Sequence, residues 1–162
     1  MTVREEGPAK PLKTLVSVTR FRLRSIRFLP FFMLHANRTM AQIRKADGFV
    51  AGAVRRDADL AFWTLTIWRD EHAMRAYGAS GAHRKAMPHL ANWADEASVG
   101  HWTQSGSELP EWPEAVRRLR KEGRPLTLRY SAANHTGQRF AAPKMTSGMR
   151  LRKKVHGQSA FC

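Results

Sequence analysis

Apolar and polar positions alternate from residue 14 to residue 23. Leu15, Ser17, Thr19, Phe21 and Leu23 would share one face of a strand, and Val16, Val18, Arg20 and Arg22 the other. From about residue 30 to 45 the period becomes helical, with Phe32, Ala36, Met40 and Ile43 on one stripe. Pro30 suits a first helical turn, where its missing N–H costs nothing, and Asp47-Gly48 ends the helix. Strands follow at 49–56 and 60–68, joined by the turn Asp57-Ala58-Asp59. In the second of them Trp63, Leu65 and Ile67 oppose Phe62, Thr64, Thr66 and Trp68. Bulk on both faces predicts that both are at least partly covered.

Asp70 caps a short helix over 70–77, which Gly78 stops. A second helical piece spans 81–93, with Ala86, Met87, Leu90 and Trp93 facing inward. Pro88 predicts a kink or a break there, because it cannot donate to the carbonyl of Arg84. A fourth strand is expected at 96–104. After Ser105-Gly106-Ser107 comes a basic helix over 112–122 ended by Gly123. A short strand is expected at 126–130, and 131–162 reads as irregular.

This order, βαββαβ, predicts an α+β fold: a ferredoxin-like, four-stranded antiparallel sheet with two helices on one face. The domain plan is a flexible leader over 1–12, the α/β domain over 13–104, a linker and basic helix over 105–124, and a basic, largely irregular tail over 125–162. The second sheet face would stay wet in a monomer. A partner sheet packed against it, making a homodimer, would cover it.

Composition adds a bias in charge. At 43% hydrophobic and 25% charged the chain is globular rather than disordered. Its net charge of +15 is uneven: residues 1–112 hold 16 basic and 11 acidic side chains, residues 113–162 hold 12 and 2. Such a tail can bind nucleic acid or another anionic polymer by releasing counterions, or serve only as a solvated, solubilising segment. The second use is favoured, because no nucleic-acid recognition motif accompanies the charge. One cysteine, Cys162, excludes an internal disulfide and has no activating neighbour. No apolar run approaches a transmembrane helix, and Arg4-Glu5-Glu6 opens onto no secretory signal, so a cytoplasmic setting is expected.

Standard catalytic signatures are missing: there is no dinucleotide fingerprint, phosphate-binding loop or metalloprotease pair. Gly78-Ala79-Ser80-Gly81 lacks the spacing and the preceding strand of a nucleophile elbow. The segment Ser80-Gly81-Ala82-His83-Arg84-Lys85-Ala86-Met87 is the candidate site. His83 falls on the apolar stripe, where a histidine is either a hydrogen-bonded core residue or a neutral ligand or base. Trp63, Trp68, Trp93 and Trp102 could line a flat apolar pocket or pack an ordinary core.

The run Phe62-Trp63-Thr64-Leu65-Thr66-Ile67-Trp68-Arg69-Asp70-Glu71, with Met74-Arg75-Ala76-Tyr77 and Gly81-Ala82-His83-Arg84-Lys85-Ala86-Met87, resembles the spheroidene monooxygenase-like group. With the antibiotic-biosynthesis monooxygenases, that group belongs to the dimeric α/β-barrel superfamily. The resemblance covers roughly residues 13–104. It implies a homodimer and oxygen-dependent chemistry on an apolar organic substrate, with haem in the carotenoid enzyme and no cofactor in some antibiotic enzymes. It makes His83 the haem-iron ligand or acid/base, and Arg84 the partner of an anionic group. Trp63, Trp68 and Trp93 become walls of a cofactor-binding pocket between sheet and helices. The rival readings are a non-catalytic barrel that binds a small apolar ligand, and an anionic-polymer binder working through the tail.

Overall fold

A computed structural model of the chain describes residues 11–133, 135, 140 and 143–154. Most of the expected leader, the end of the expected tail and Cys162 lie outside the described residues.

The first strand, β1 (Lys13–Leu23), lies between β3 (Ala61–Trp68) and β4 (Ala94–Ser105), antiparallel to both. β2 (Phe49–Asp57) pairs with the outer side of β3. These four strands are the ferredoxin-like set that the periodicity predicts. The sheet does not stop at four: it has six strands in the order β5-β4-β1-β3-β2-β6. β5 (Arg124–Pro125) extends the β4 edge by two residues, where a strand over 126–130 was expected. β6 (Met145–Arg152) pairs antiparallel with β2, within a region expected to be irregular. Buried Asp57 helps to seat β6: its Oδ1 accepts from the backbone N–H of Ala58 at 2.6 Å and of Lys144 at 3.0 Å.

Three helices cover one sheet face: α1 (Leu29–Ile43), α2 (Glu71–Gly78) and α3 (Gly81–Trp93). Pro88 lies inside α3, which continues through it to Trp93 without a break. Beneath these helices Phe21, Leu23, Ala94 and Ala97 form one apolar cluster; Ile43, Phe49, Trp68, Ala73 and Leu151 form another. Gly48 (φ +73°) makes the return from α1 to β2, where a Cβ would stand 2.4 Å from that of Ala73.

The fourth helix, α4 (Trp112–Glu122), lies on the opposite face. Its Ala115, Val116 and Leu119 pack with Val16, Val18, Trp63, Leu65 and Ile67, and Phe140 joins them. The bulky face that seemed to need a partner sheet is thus covered from within the chain. Among the described residues no helix is long and apolar enough to cross a membrane.

Candidate functional site

His83 is positioned by three elements. Asp70 caps α2, accepting from the N–H of Ala73 at 2.8 Å, so the helix starts directly after β3. The chain then turns into α3 at Gly81 (φ +56°), where a Cβ would meet the Gln42 carboxamide at 2.9 Å. Gln42, from α1, fills that space and clamps the junction. Its Oε1 accepts from the backbone N–H of His83 at 2.8 Å, and its Nε2 donates to the Ser80 carbonyl at 2.9 Å.

The imidazole lies 4.9 Å from the Tyr77 ring, and Tyr77 lies 5.1 Å from Trp68. His83 Nδ1 is 3.1 Å from the Gly78 carbonyl. A carbonyl only accepts, so Nδ1 carries the proton and Nε2 keeps its lone pair. That nitrogen has no hydrogen-bond partner among the described residues. Nor is it one of the buried atoms left unpaired, so it reaches the surface. Burial holds the His83 pKa below the ordinary histidine value, and the Gly78 hydrogen bond opposes this only in part. At neutral pH the ring is neutral, with Nε2 unprotonated and unpartnered among the described residues.

The sign of the resulting pH dependence follows from linkage. The unfolded chain takes up this proton near pH ~6.5, the folded chain only at lower pH. The imidazole therefore costs no stability above that pH, and stability falls as pH drops through the folded pKa. Nitrogen-15 NMR should show His83 as the Nδ1–H tautomer, titrating below free histidine. The acid-induced loss of melting temperature should shrink in His83→Gln. A titration at or above the free value would contradict the arrangement.

The other expected site residues are divided. Trp68 lies behind Tyr77 and donates from Nε1 to Thr66 Oγ1 at 3.0 Å. Arg84 is exposed at the next helical position, with no carboxylate partner among the described residues. Trp93 stands ten residues along α3 from His83, about 15 Å at ~1.5 Å per residue. There it joins Phe28, Phe31, His35 and His89 in a separate aromatic cluster. Trp63 is buried on the opposite sheet face, against Phe140 at 5.4 Å, and Trp102 lies on that face under Arg118. Gln42 and Tyr77 were not singled out by sequence reasoning. A glutamine off the apolar stripe reads as solvent-facing, and the tyrosine reads as a helix end and as part of the resembling segment, with no role of its own.

No group of three or more His, Cys, Asp or Glu among the described residues could hold a metal ion. Two clefts open on the α4 side, of about 660 and 380 Å³, flanking Arg55 and Trp112.

Solved structures share this fold at low sequence identity. A conserved protein from Methanosarcina mazei superposes with a TM-score of 0.51 at 16% identity, over 56% of this chain and 92% of its own. A protein of unknown function from Bacteroides thetaiotaomicron, provisionally described as an oxidoreductase, gives 0.51 at 12%, over 57% and 99%. A Nitrosomonas europaea protein provisionally named an antibiotic biosynthesis monooxygenase gives 0.50 at 11%, over 60% and 92%. No curated protein matches the chain. The resemblance to the dimeric α/β-barrel superfamily, with its monooxygenase-like members, therefore holds at the level of the fold. Within that fold residues 32–125 match the domain of unknown function DUF3291, and the chain belongs to that family.

Proposed function

We propose that this chain is a small monooxygenase-like oxidoreductase of the cytoplasm, acting on an apolar, flat organic substrate with an acidic C–H bond, and that His83 is its base. The observation that carries the reading is the unpartnered Nε2 lone pair, fixed by the Nδ1–H···O=C bond to Gly78 at 3.1 Å. In the proposed step Nε2 takes a proton from an activated methylene, leaving an anion rich enough to pass electrons to O2. A carbon–oxygen bond forms and the oxygen–oxygen bond breaks. One oxygen stays as a carbonyl and the other leaves as water, so CH2 plus O2 gives C=O plus H2O with no external reductant. Exposed Arg84 supplies a cation for the substrate's anionic oxygen, and Tyr77 and Trp68 form the apolar backing.

Haem does not fit this set. His83 has the right donor, with its second nitrogen held by a carbonyl as iron-ligating histidines require. Of the three tryptophans expected as walls, however, only Trp68 lies near it, and no step here runs through a macrocycle. Anthrone, with its activated methylene, is a suitable probe. Oxygen uptake by the full chain should match anthraquinone formed one for one, without added reductant. A requirement for a reductant, or a haemin Soret shift that depends on His83, would overturn the cofactor-free form.

The assembly proposed with this activity is a homodimer joined on the helical side. Val16, Val18, Leu65 and Ile67 are already covered by α4, whereas Phe31 and Leu34 on α1 are 60% and 49% exposed. Sedimentation should find a dimer that Phe31→Asp with Leu34→Asp converts to monomer. A wild-type monomer at micromolar concentration would exclude it.

A further inference from the structure

We propose that the larger cleft beside α4 is a binding site for a small organic anion that carries two or more negative charges on an apolar or aromatic body. The cleft measures about 660 Å³, within the usual range for small-molecule sites. Trp112 and Val116 give it an apolar wall, while Arg55, Arg117, Arg120 and Lys121 line it with positive charge, and among the described residues no carboxylate lines it.

Arg55 and Arg120 are held in place by rings and a carbonyl rather than by a carboxylate. The Arg55 guanidinium lies 5.2 Å over the Trp112 ring. Arg120 lies 5.1 Å from the Phe140 ring and donates to the Phe140 carbonyl at 2.9 Å. Among the described residues only Arg117 of the four has a carboxylate partner, Glu114. The C-terminal dipole of α4 explains the placement of Arg120 and Lys121 in its last turn. It does not explain Arg55, which comes from β2 and faces them across the cleft. Gathering uncompensated like charges costs free energy in the empty protein, and a bound anion relieves it.

The smaller cleft, on the other side of Trp112, shares Arg55 and carries Arg150 but also Glu111, so more cations gather around the larger one. Cations facing one another over an apolar wall suit a compact ligand better than a long strand. The site is independent of His83, which lies on the other face of the sheet.

The test uses pyranine, a flat fluorescent aromatic trisulfonate, with the full chain and fluorescence anisotropy. One equivalent should bind, with affinity falling as salt rises. The variant Arg55→Gln with Lys121→Gln should weaken binding about tenfold or more, the scale of losing charge-assisted contacts. Neither residue packs in the core, and matching melting temperatures would show that the fold is kept. Arg129→Gln with Lys153→Gln removes the same charge elsewhere on the surface and should change affinity less than about twofold at moderate salt. Equal weakening by both pairs would overturn the proposal, reducing it to diffuse attraction. So would failure to bind pyranine while a short oligothymidylate binds regardless of the cleft variant, which would assign the charge to a polymer.

Discussion

Replacing His83 by alanine is expected to lower anthrone-dependent oxygen uptake by about 100-fold or more, the usual contribution of a positioned general base. The fold should survive, because the contacts removed are only those to Tyr77 and the Gly78 carbonyl. The backbone N–H of residue 83 still donates to Gln42, so the α1 clamp on the helix junction remains. His89→Ala is the control. That ring stacks on Trp93 at 5.2 Å, six residues further along α3, and its loss should leave turnover unchanged. Gln42→Ala should fall between the two. It frees the helix junction without removing the base, so the rate should drop while the pH profile keeps the His83 titration. Equal uptake by wild type and His83→Ala would remove the histidine from the mechanism.

The largest stability loss should come from Glu96→Ala. Arg20 and Glu96 are side chains of neighbouring strands in the sheet interior, 7% and 10% exposed, with Arg20 Nη1 2.5 Å from Glu96 Oε2. The Arg20 guanidinium lies 4.5 Å from the Phe140 ring and 5.7 Å from Trp63, which leave it little water. Glu96 also meets Arg22 at 3.1 Å, and Arg22 reaches Asp95 at 2.9 Å. Without Glu96, Arg20 keeps its charge in an apolar setting with no counterion. Breaking one side of a buried pair costs about 3–5 kcal/mol. Urea titration should show that loss. The double variant Arg20→Met with Glu96→Leu should recover most of it, since no charge then stays buried. A loss for Glu96→Ala below about 1 kcal/mol would mean that water or Asp95 already serves Arg20.

Much of the fold was legible because its elements are encoded locally. The faces assigned to β1 and β3 from alternation alone are those observed: Val18 pairs beside Leu65 under α4, and Phe21 beside Phe62 under the other helices. The helix over 112–122 was read to the residue, as Glu111 and Gly123 bracket it. β6 was hidden. Its Met149 and Leu151 alternate with Arg150 and Arg152, but Gly148 interrupts the run, and a cation-rich alternation is also what a solvated tail shows. An edge strand tolerates such residues, because its outer side needs no apolar cover.

The candidate site divides in the same way. His83 stood out from helical spacing alone. Its tautomer did not, since that depends on the Gly78 carbonyl curling back at the end of α2. Grouping Trp63 with Trp68 and Trp93 followed residue type against the alternation, which already sets Trp63 and Trp68 on opposite faces. Five positions along a strand put Trp63 and Trp68 on opposite sides of the sheet, and ten along a helix put Trp93 far from His83.

By itself, the sequence determined the βαββαβ order, the two faces of each central strand and the presence of α4, because hydrophobic period and capping residues act over a few neighbours. Only the tertiary structure decided where α4 and β6 dock, that Gln42 clamps His83, and that Arg55 faces Arg120 across a cleft. Gln42 and His83 are 41 positions apart, Arg55 and Arg120 are 65, and the partners that join β6 to β2 are 88 to 101. The partner of a surface or a charge at that range is chosen by which faces remain unburied once the sheet has formed, and no local pattern records that choice.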